Sequence, residues 1–155
     1  MISMTTRVYV KNITGKAITD FMLNCTDEQY QNWWKGTHFA FHTLRRYPDN
    51  IGNTVIFDEM VGKHRLRFTG IVTEIIPGRK LVWQMTKWLK LPGWLMLEFE
   101  DGQTGVEILH TVKVGYQGIG RILDPLIKFY LSKNFEKDLN EHAQIEFQKL
   151  AILLA

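Results

Sequence analysis

The sequence predicts an α+β fold in which one antiparallel sheet is crossed by a long C-terminal helix. Two observations lead to this prediction. Residues 107–115 have the period-two pattern of a half-buried strand. Directly behind them, an amphipathic helical pattern begins near Asp124 and Pro125 and reaches Leu154, so this helix would extend roughly 45 Å. A helix of that length must lie across a whole sheet.

Composition indicates a single globular domain spanning residues 1–155. With 45% hydrophobic and 12% aromatic residues, a chain of 155 residues can bury a core or enclose a cavity. The sequence contains no signal-peptide pattern or membrane-spanning run, and Cys25 has no second cysteine to pair with, so a cytoplasmic location is expected. The net charge of +3 is small and the basic residues are scattered, which argues against nucleic-acid binding.

The first part of the chain predicts one strand followed by two short helices. Val8 and Val10 alternate with polar residues, as in a strand with one buried face. Thr14 and Thr26 are predicted N-caps, and Gln29 stands at the capping-box spacing from Thr26.

Residues 39–116 predict six further strands joined as a meander. Turn signals interrupt the alternation at residues 48–52, 62–63, 77–78, 92–93 and 101–102. The predicted order is therefore one strand, two helices, six strands and a long helix.

These turns also predict which residues lie opposite each other, because a hairpin turn sets the register of its strands. Turn 62–63 pairs Phe57 with Phe68 and Glu59 with Leu66, and turn 77–78 pairs Val72 with Trp83, Gly70 with Met85 and Phe68 with Lys87. A loop centred at Leu91 pairs Trp83 with Phe99, Met85 with Leu97 and Lys87 with Leu95. A turn centred on 102–103 pairs Phe99 with Val106, Leu97 with Ile108 and Leu95 with His110.

All four registers place the same residues on one face. This face is apolar at one end of the strands and carries polar groups toward the other end. The two apolar rows are Val72, Trp83, Phe99, Val106 and then Val55, Gly70, Met85, Leu97, Ile108. The next row carries polar groups and consists of Phe57, Phe68, Lys87, Leu95 and His110, with Glu59 one step beyond. This gradient predicts a cavity that is apolar at its base and polar toward its mouth. The long helix would cover it with an apolar stripe that includes Tyr130, Phe135 and His142.

The element order resembles the helix-grip fold of the START/Bet v 1-like (SRPBCC) superfamily, particularly its polyketide cyclase/dehydrase and lipid-transport branch. Segments 50–54, 70–83 and 147–150 carry the resemblance, which covers nearly the whole chain. The resemblance implies a curved sheet wrapped around the last helix and a hydrophobic cavity entered near residues 62–64 and 89–93. It does not determine the ligand, because members include carriers, cyclases and co-chaperone domains.

The leading hypothesis is that the chain binds a hydrophobic or amphipathic small molecule, such as a lipid, a polyketide or an aromatic metabolite. The predicted ligand-binding residues are Val55, Phe57, Glu59, Phe68, Gly70, Val72, Trp83, Met85, Lys87, Leu95, Leu97, Phe99, Ile108, His110, Tyr130, Phe135 and His142. The alternatives are a cyclase- or dehydratase-type enzyme, with His110 or Glu59 as the acid or base, and a protein-interaction module. Structural roles stay open for both residues: His110 as a satisfied core histidine, and Glu59 as an ion-pair partner of Lys87 or Arg65.

No metal site or cofactor is expected, and the sequence leaves the oligomeric state open. His38 and His42 would lie roughly 13 Å apart in an extended strand. His142 and Glu146 have workable helical spacing but lack a third ligand.

One predicted loop is unusually apolar. Trp88, Leu89, Leu91 and Trp94 stand beside lysines, a combination that predicts either transient contact with a membrane or partner, or a lid over the cavity.

Overall fold

The described elements follow the predicted order. The computed structural model describes residues 1–86, 90–116, 118–123, 125 and 133–155. The elements are β1 (Ile2–Lys11), α1 (Gly15–Asn24), α2 (Asp27–Trp33), β2 (His38–Arg45), β3 (Thr54–Val61), β4 (His64–Ile76), β5 (Lys80–Thr86), β6 (Lys90–Asp101), β7 (Gly105–Val114), a 3-10 helix (Gly118–Leu123) and α3 (Lys133–Leu153).

Within the described residues, seven strands form one antiparallel sheet in the order β1-β7-β6-β5-β4-β3-β2. The six consecutive strands form the predicted meander, and β1 pairs with the last of them. Such an arrangement has two edge strands, β1 and β2, and each is joined to a helix layer by side-chain hydrogen bonds described below.

Both predicted helix caps are confirmed. The Thr14 side chain accepts a hydrogen bond from the Ala17 backbone N–H at 3.2 Å. Thr26 and Gln29 form the reciprocal capping box, at 3.2 Å and 2.9 Å. At ten and seven residues both helices are too short to be stable alone, so each depends on its cap and on packing against the rest of the fold.

The predicted registers are right for two hairpins and wrong for two. Phe57 lies opposite Phe68 and Val72 opposite Trp83, as predicted. Leu95 does not lie opposite His110, which instead faces Leu97. Trp83 faces Leu95 and not Phe99.

Turn length explains both errors. The last hairpin closes across residues 102–105, where the Gly102 N–H donates to the Gly105 carbonyl at 2.8 Å. Strand β6 already begins at Lys90, which pairs with Thr86, so the preceding loop is not centred at Leu91. Relative to the prediction, the register is shifted by two residues between β6 and β7 and by four residues between β5 and β6. Because side chains alternate with a period of two, an even shift leaves every residue on its predicted face.

Helix α1 packs against one end of the inner face. The Gly15 N–H donates to Asp101 Oδ1 at 2.7 Å, and the Gly78 N–H donates to Thr19 Oγ1 at 3.3 Å. A Cβ atom built on Gly15 would lie 2.3 Å from the Gly78 carbonyl oxygen and 2.6 Å from Phe99 Cβ, so only glycine permits this approach.

Helix α3 is held against β1 and α2. Gln144 and Gln148 donate side-chain hydrogen bonds to the Arg7 and Tyr9 carbonyls, each at 2.8 Å, and the Trp33 indole N–H donates to the Glu146 carbonyl at 2.7 Å. The predicted portion of this helix at 126–132, which includes Tyr130, lies outside the described residues. None of the described helices combines the length and apolar character required to cross a bilayer.

Candidate functional site

A cavity of about 180 Å³ lies between the inner face of the sheet and helices α2 and α3. The residues that line it are Met22, Tyr30, Trp33, Phe41, Phe57, Glu59, Val61, Leu66, Phe68, Met85, Leu95, Leu97, His110, Val112, Val114, Phe135, Leu139, His142, Glu146 and Phe147. Most of these side chains are apolar. The ionisable ones come from β3, β7, α2 and α3.

Aromatic packing shapes the apolar wall. The Phe57 ring stacks on Phe68 with centroids 4.8 Å apart and meets Phe41 edge to face, also at 4.8 Å. Phe57 also meets Trp83 edge to face, with centroids 5.6 Å apart. The three phenylalanine rings thus form an aromatic wall that carries no polar atoms.

A polar cluster forms another part of the lining. Glu59 Oε2 accepts a hydrogen bond from the Tyr30 hydroxyl at 3.0 Å and lies 3.1 Å from His142 Nε2. Glu146 stands one helical turn beyond His142, and its Oε2 lies 3.7 Å from the same ring nitrogen. Two carboxylates thus share one imidazole inside the protein.

Electrostatics favours the charged forms of His142 and Glu146. Burial by itself lowers the pKa of His142, but the nearby Glu146 and Glu59 carboxylates outweigh it and raise that pKa above its usual value. Burial by itself raises the pKa of Glu146, but His142 and then His38 hold it below the usual value for a glutamate. Burial raises the pKa of Tyr30 well above 10.0, and the two carboxylates add to this rise. Tyr30 is therefore a permanent hydrogen-bond donor at neutral pH.

His38 lies behind this cluster and is fully buried. Its Nδ1 lies 3.2 Å from the Tyr30 carbonyl oxygen, and its ring stacks on the Tyr30 ring at 3.9 Å. Its Nε2 lies 3.3 Å from Glu146 Oε1 and 3.6 Å from Glu59 Oε2. Among the described residues, this Nε2 has no aligned hydrogen-bond partner.

His110 is a second buried histidine of the cavity. Burial lowers its pKa, although Glu146 and Glu59 partly offset this, so the ring is neutral at pH 7. Within the described part of the chain, its Nδ1 has no hydrogen-bond partner. A neutral imidazole with an unused nitrogen in an apolar wall is suited to bind a polar group of a ligand.

The structure places the sequence-predicted site residues in three groups. The first lines the cavity and comprises Phe57, Glu59, Phe68, Met85, Leu95, Leu97, His110, Phe135 and His142. The second lies in the packed interior away from the cavity lining and comprises Val55, Gly70, Val72, Trp83, Phe99 and Ile108. The third, Lys87, Tyr130, Trp88 and Leu89, lies outside the described residues.

Two expectations need correction. Glu59 does not pair with Arg65, because Arg65 binds the neighbouring Asp58 through two hydrogen bonds of 2.8 Å and 2.9 Å. Leu91 and Trp94 are strand residues of β6 and not part of a loop tip. Trp94 lies opposite Gln84 and Lys113, on the face of the sheet that points away from the cavity.

Sequence reasoning missed Tyr30, Trp33, His38 and Glu146 as site residues. The aromatic pair Trp33-Trp34 ahead of His38 was a visible signal, as was the helical spacing of His142 and Glu146. What brings them together is the packing of α2 between β2 and α3, which includes the hydrogen bond from Trp33 to the Glu146 carbonyl. No local pattern encodes that contact.

Comparison with known proteins gives similar structures at low sequence identity. No protein-family profile and no curated protein sequence matches the chain. A START superfamily protein from Mycobacterium smegmatis has a TM-score of 0.63 at 14% identity, covering 99% of this chain and 98% of that one. Ara h 8.0201 has a TM-score of 0.62 at 8% identity, covering 99% and 97%. Ginseng major latex-like protein 151 from Panax ginseng has 0.57 at 8%, covering 91% and 96%.

At such identities these similarities concern the fold alone. The chain has the START/Bet v 1-like helix-grip fold, with a curved antiparallel sheet around a long C-terminal helix.

Proposed function

We propose that this protein binds a hydrophobic or amphipathic small molecule in the cavity between the sheet and α3. The observation that carries the proposal is the lining itself: aromatic and aliphatic walls meet a cluster of ionisable groups, Glu59, His142 and Glu146. Ligand sites combine these two features, because apolar walls supply affinity and a few polar groups set the orientation.

Cavity size narrows the ligand class. An engineered cavity of about 150 Å³ in another protein accommodates benzene. The 180 Å³ cavity therefore suits a single substituted aromatic ring or a short acyl chain, whereas a full-length lipid or a long polyketide would require the surrounding side chains to move. A hydroxyl or carbonyl on such a ligand would meet His110, Tyr30 or Glu59.

Calorimetric titration with 4-propylphenol tests the proposal. We expect saturable binding of one molecule per chain, and Met85→Trp should abolish it by filling the cavity. Met96→Trp is the matched control, because Met96 occupies the opposite face of the sheet on the adjacent strand. Equal binding by both variants would place the ligand elsewhere, and no binding by the wild type would contradict the proposal for this ligand class.

A second candidate function is acid–base catalysis of the cyclase or dehydratase type. It is supported by a carboxylate, Glu59, that is hydrogen-bonded to Tyr30 and His142 inside a largely apolar cavity, since such groups can exchange protons with a bound carbonyl compound. Incubation with 4-hydroxyphenylacetone in D₂O would test this by proton NMR. Catalysis predicts faster deuterium uptake beside the carbonyl than in buffer, lost in Glu59→Gln or His110→Ala. A rate equal to that in buffer would leave ligand binding as the function.

A further inference from the structure

We infer that His38, Glu59, His142 and Glu146 form a binding site for a divalent transition-metal ion, with Zn²⁺ as the ion their chemistry fits best. The four side chains come from three separate elements: the start of β2, strand β3 and one face of α3. One ligand-type atom from each lies within 4.8 Å of all the others. From the sequence, His38 was considered only with His42 and the helical pair lacked a third ligand, so no metal site was expected.

The nitrogen–oxygen distances are short enough for the four side chains to share one ion. His38 Nε2 lies 3.3 Å from Glu146 Oε1 and 3.6 Å from Glu59 Oε2. His142 Nε2 lies 3.1 Å from Glu59 Oε2 and 3.7 Å from Glu146 Oε2. A zinc ion bound to nitrogen and oxygen at about 2.0–2.1 Å requires ligand atoms roughly 3.3 Å apart, and the two contacts with Glu59 Oε2 are close to that value. Glu146 meets the two histidines through different oxygens, so one ion would bind it through one oxygen or through both, and the ligand atoms, now within 4.8 Å of one another, would draw closer around the ion.

The tautomer of His38 gives independent support. A carbonyl oxygen can only accept a hydrogen bond, so the Nδ1 atom beside the Tyr30 carbonyl carries the hydrogen. In the neutral ring, Nε2 then presents a lone pair to two carboxylates, an arrangement that is unfavourable without a cation or a proton between them. This nitrogen is buried and, among the described residues, has no aligned partner.

The surroundings of the cluster resemble those of metal sites in general. Histidine ligands usually donate their second N–H to a carbonyl or carboxylate, as His38 does here, and such contacts fix the ring orientation. The Tyr30 hydroxyl orients Glu59 in the same way at 3.0 Å. Trp34 stacks on the His142 ring at 4.8 Å and limits its movement.

The donor set selects the class of metal. Two imidazoles with two carboxylates suit Zn²⁺ and neighbouring borderline ions, whereas Mg²⁺ and Ca²⁺ prefer sites built entirely from oxygen and Cu⁺ prefers sulfur. Metal coordination displaces the proton from His142, and two neutral imidazoles with two carboxylates then carry a charge of about −2, which a divalent ion neutralises. Because Glu59, His142 and Glu146 also line the cavity, the ion would lie at the cavity wall, where a ligand oxygen can approach.

The competing interpretation is a network in which protons alone join the histidines to the glutamates. Titration of Zn²⁺ and Co²⁺ into untagged protein stripped with EDTA distinguishes a metal site from such a proton network. The experiment needs no organic ligand. We expect one ion per chain with sub-micromolar affinity, a higher melting temperature with Zn²⁺, and Co²⁺ absorption of the intensity typical of four-coordinate sites.

Variants locate the site. His38→Ala and the near-isosteric Glu59→Gln should each weaken Zn²⁺ binding by about a hundredfold or more, since each loses a direct ligand. His42→Ala is the matched control, because His42 is another histidine of β2 paired with a carboxylate, Asp27, at 2.7 Å, but outside the cluster. Circular dichroism in EDTA confirms that each variant folds, and Glu59→Gln decides the question if His38→Ala does not fold.

Several results would overturn the inference. These are the absence of Zn²⁺ binding at tenfold molar excess, unchanged affinity in a folded Glu59→Gln variant, or loss of binding in His42→Ala. Failure of this site would leave the small-molecule proposal intact, because the 4-propylphenol titration can be run in EDTA, where no metal ion is bound.

Discussion

The two ends of the inner sheet face are built from the same strands but differ in what fills the space against the helices. At one end Trp83, Phe99 and Val106 are buried, and α1 approaches so closely that Gly15 lies against the backbone of Gly78. At the other end the sheet, α2 and α3 enclose a cavity. Alternation along a strand therefore specifies which side chains point inward, but the packing of the helix layer determines whether the space between them is filled.

Buried ionisable groups behave differently inside and outside the cavity lining. Cys25, at the end of α1, does not line the cavity, and burial followed by the charge of Asp27 raises its pKa to about 12. In the cavity, Glu146 is buried as deeply, yet histidines lower its pKa. Burial keeps one group neutral, and burial with counter-charges keeps the other charged.

The largest expected effect is on stability at the packed end. Trp83→Ala should lower the free energy of unfolding by about 3–5 kcal/mol, because it removes a fully buried indole from a region that cannot collapse. Phe68→Ala in the cavity wall should cost less than half as much, since that ring is only partly buried. Urea denaturation measures both. Equal losses would show that the two ends are packed alike.

The reactivity of Cys25 tests whether burial without counter-charges keeps an ionisable group neutral. A thiol with a pKa of about 12 is almost entirely protonated at pH 8.5. Native protein should therefore react with iodoacetamide at least a few hundredfold more slowly than the urea-unfolded chain. Mass spectrometry of timed samples gives the two rates. Similar rates would mean that Cys25 is not buried as described.

These predictions rest on features that the sequence specified to different degrees. Alternation, turn residues and the capping box at Thr26 predicted the element order and the inward face, because each is a local property of the chain. The β6–β7 register was wrong because its four-residue turn was taken as a two-residue turn. Even shifts preserved the inward face, so the error moved His110 along the cavity without turning it outward.

The polar cluster could be predicted only in part. Glu59, His110 and His142 followed from unusual polar residues on apolar faces. His38 and Glu146 did not, because their approach depends on α2 packing between β2 and α3, a contact between segments more than a hundred residues apart. The division between the filled and hollow ends could likewise not be predicted, since it depends on how the helices pack on the sheet.

A smaller loss of stability is expected at the α1 contact. Gly15→Ala should destabilise the protein by about 1–3 kcal/mol, because its Cβ would overlap the Gly78 carbonyl oxygen and force the helix away from the sheet. Gly102→Ala is the matched control, as the nearest atom to its added Cβ is 3.5 Å away. If the thermal midpoints of the two variants agree, the close packing of α1 is wrong.

The smallest effect concerns ligand affinity. His110→Ala should weaken 4-propylphenol binding by about 1–2 kcal/mol through loss of one buried hydrogen-bond partner, and His110→Gln should restore part of it. Calorimetry of both variants, with stability measured in parallel, checks this. Unchanged affinity in folded His110→Ala would assign the histidine to packing.

A methyl NMR titration with 4-propylphenol tests the cavity as the binding site most directly, because one experiment reports on both ends of the sheet. We expect saturable shifts for the methyl groups of Val61, Met85 and Leu97, which line the cavity, and almost none for Val72 and Val106 in the packed end. Shifts that never saturate, or that are as large at Val72 and Val106, would contradict the claim that the cavity is the binding site.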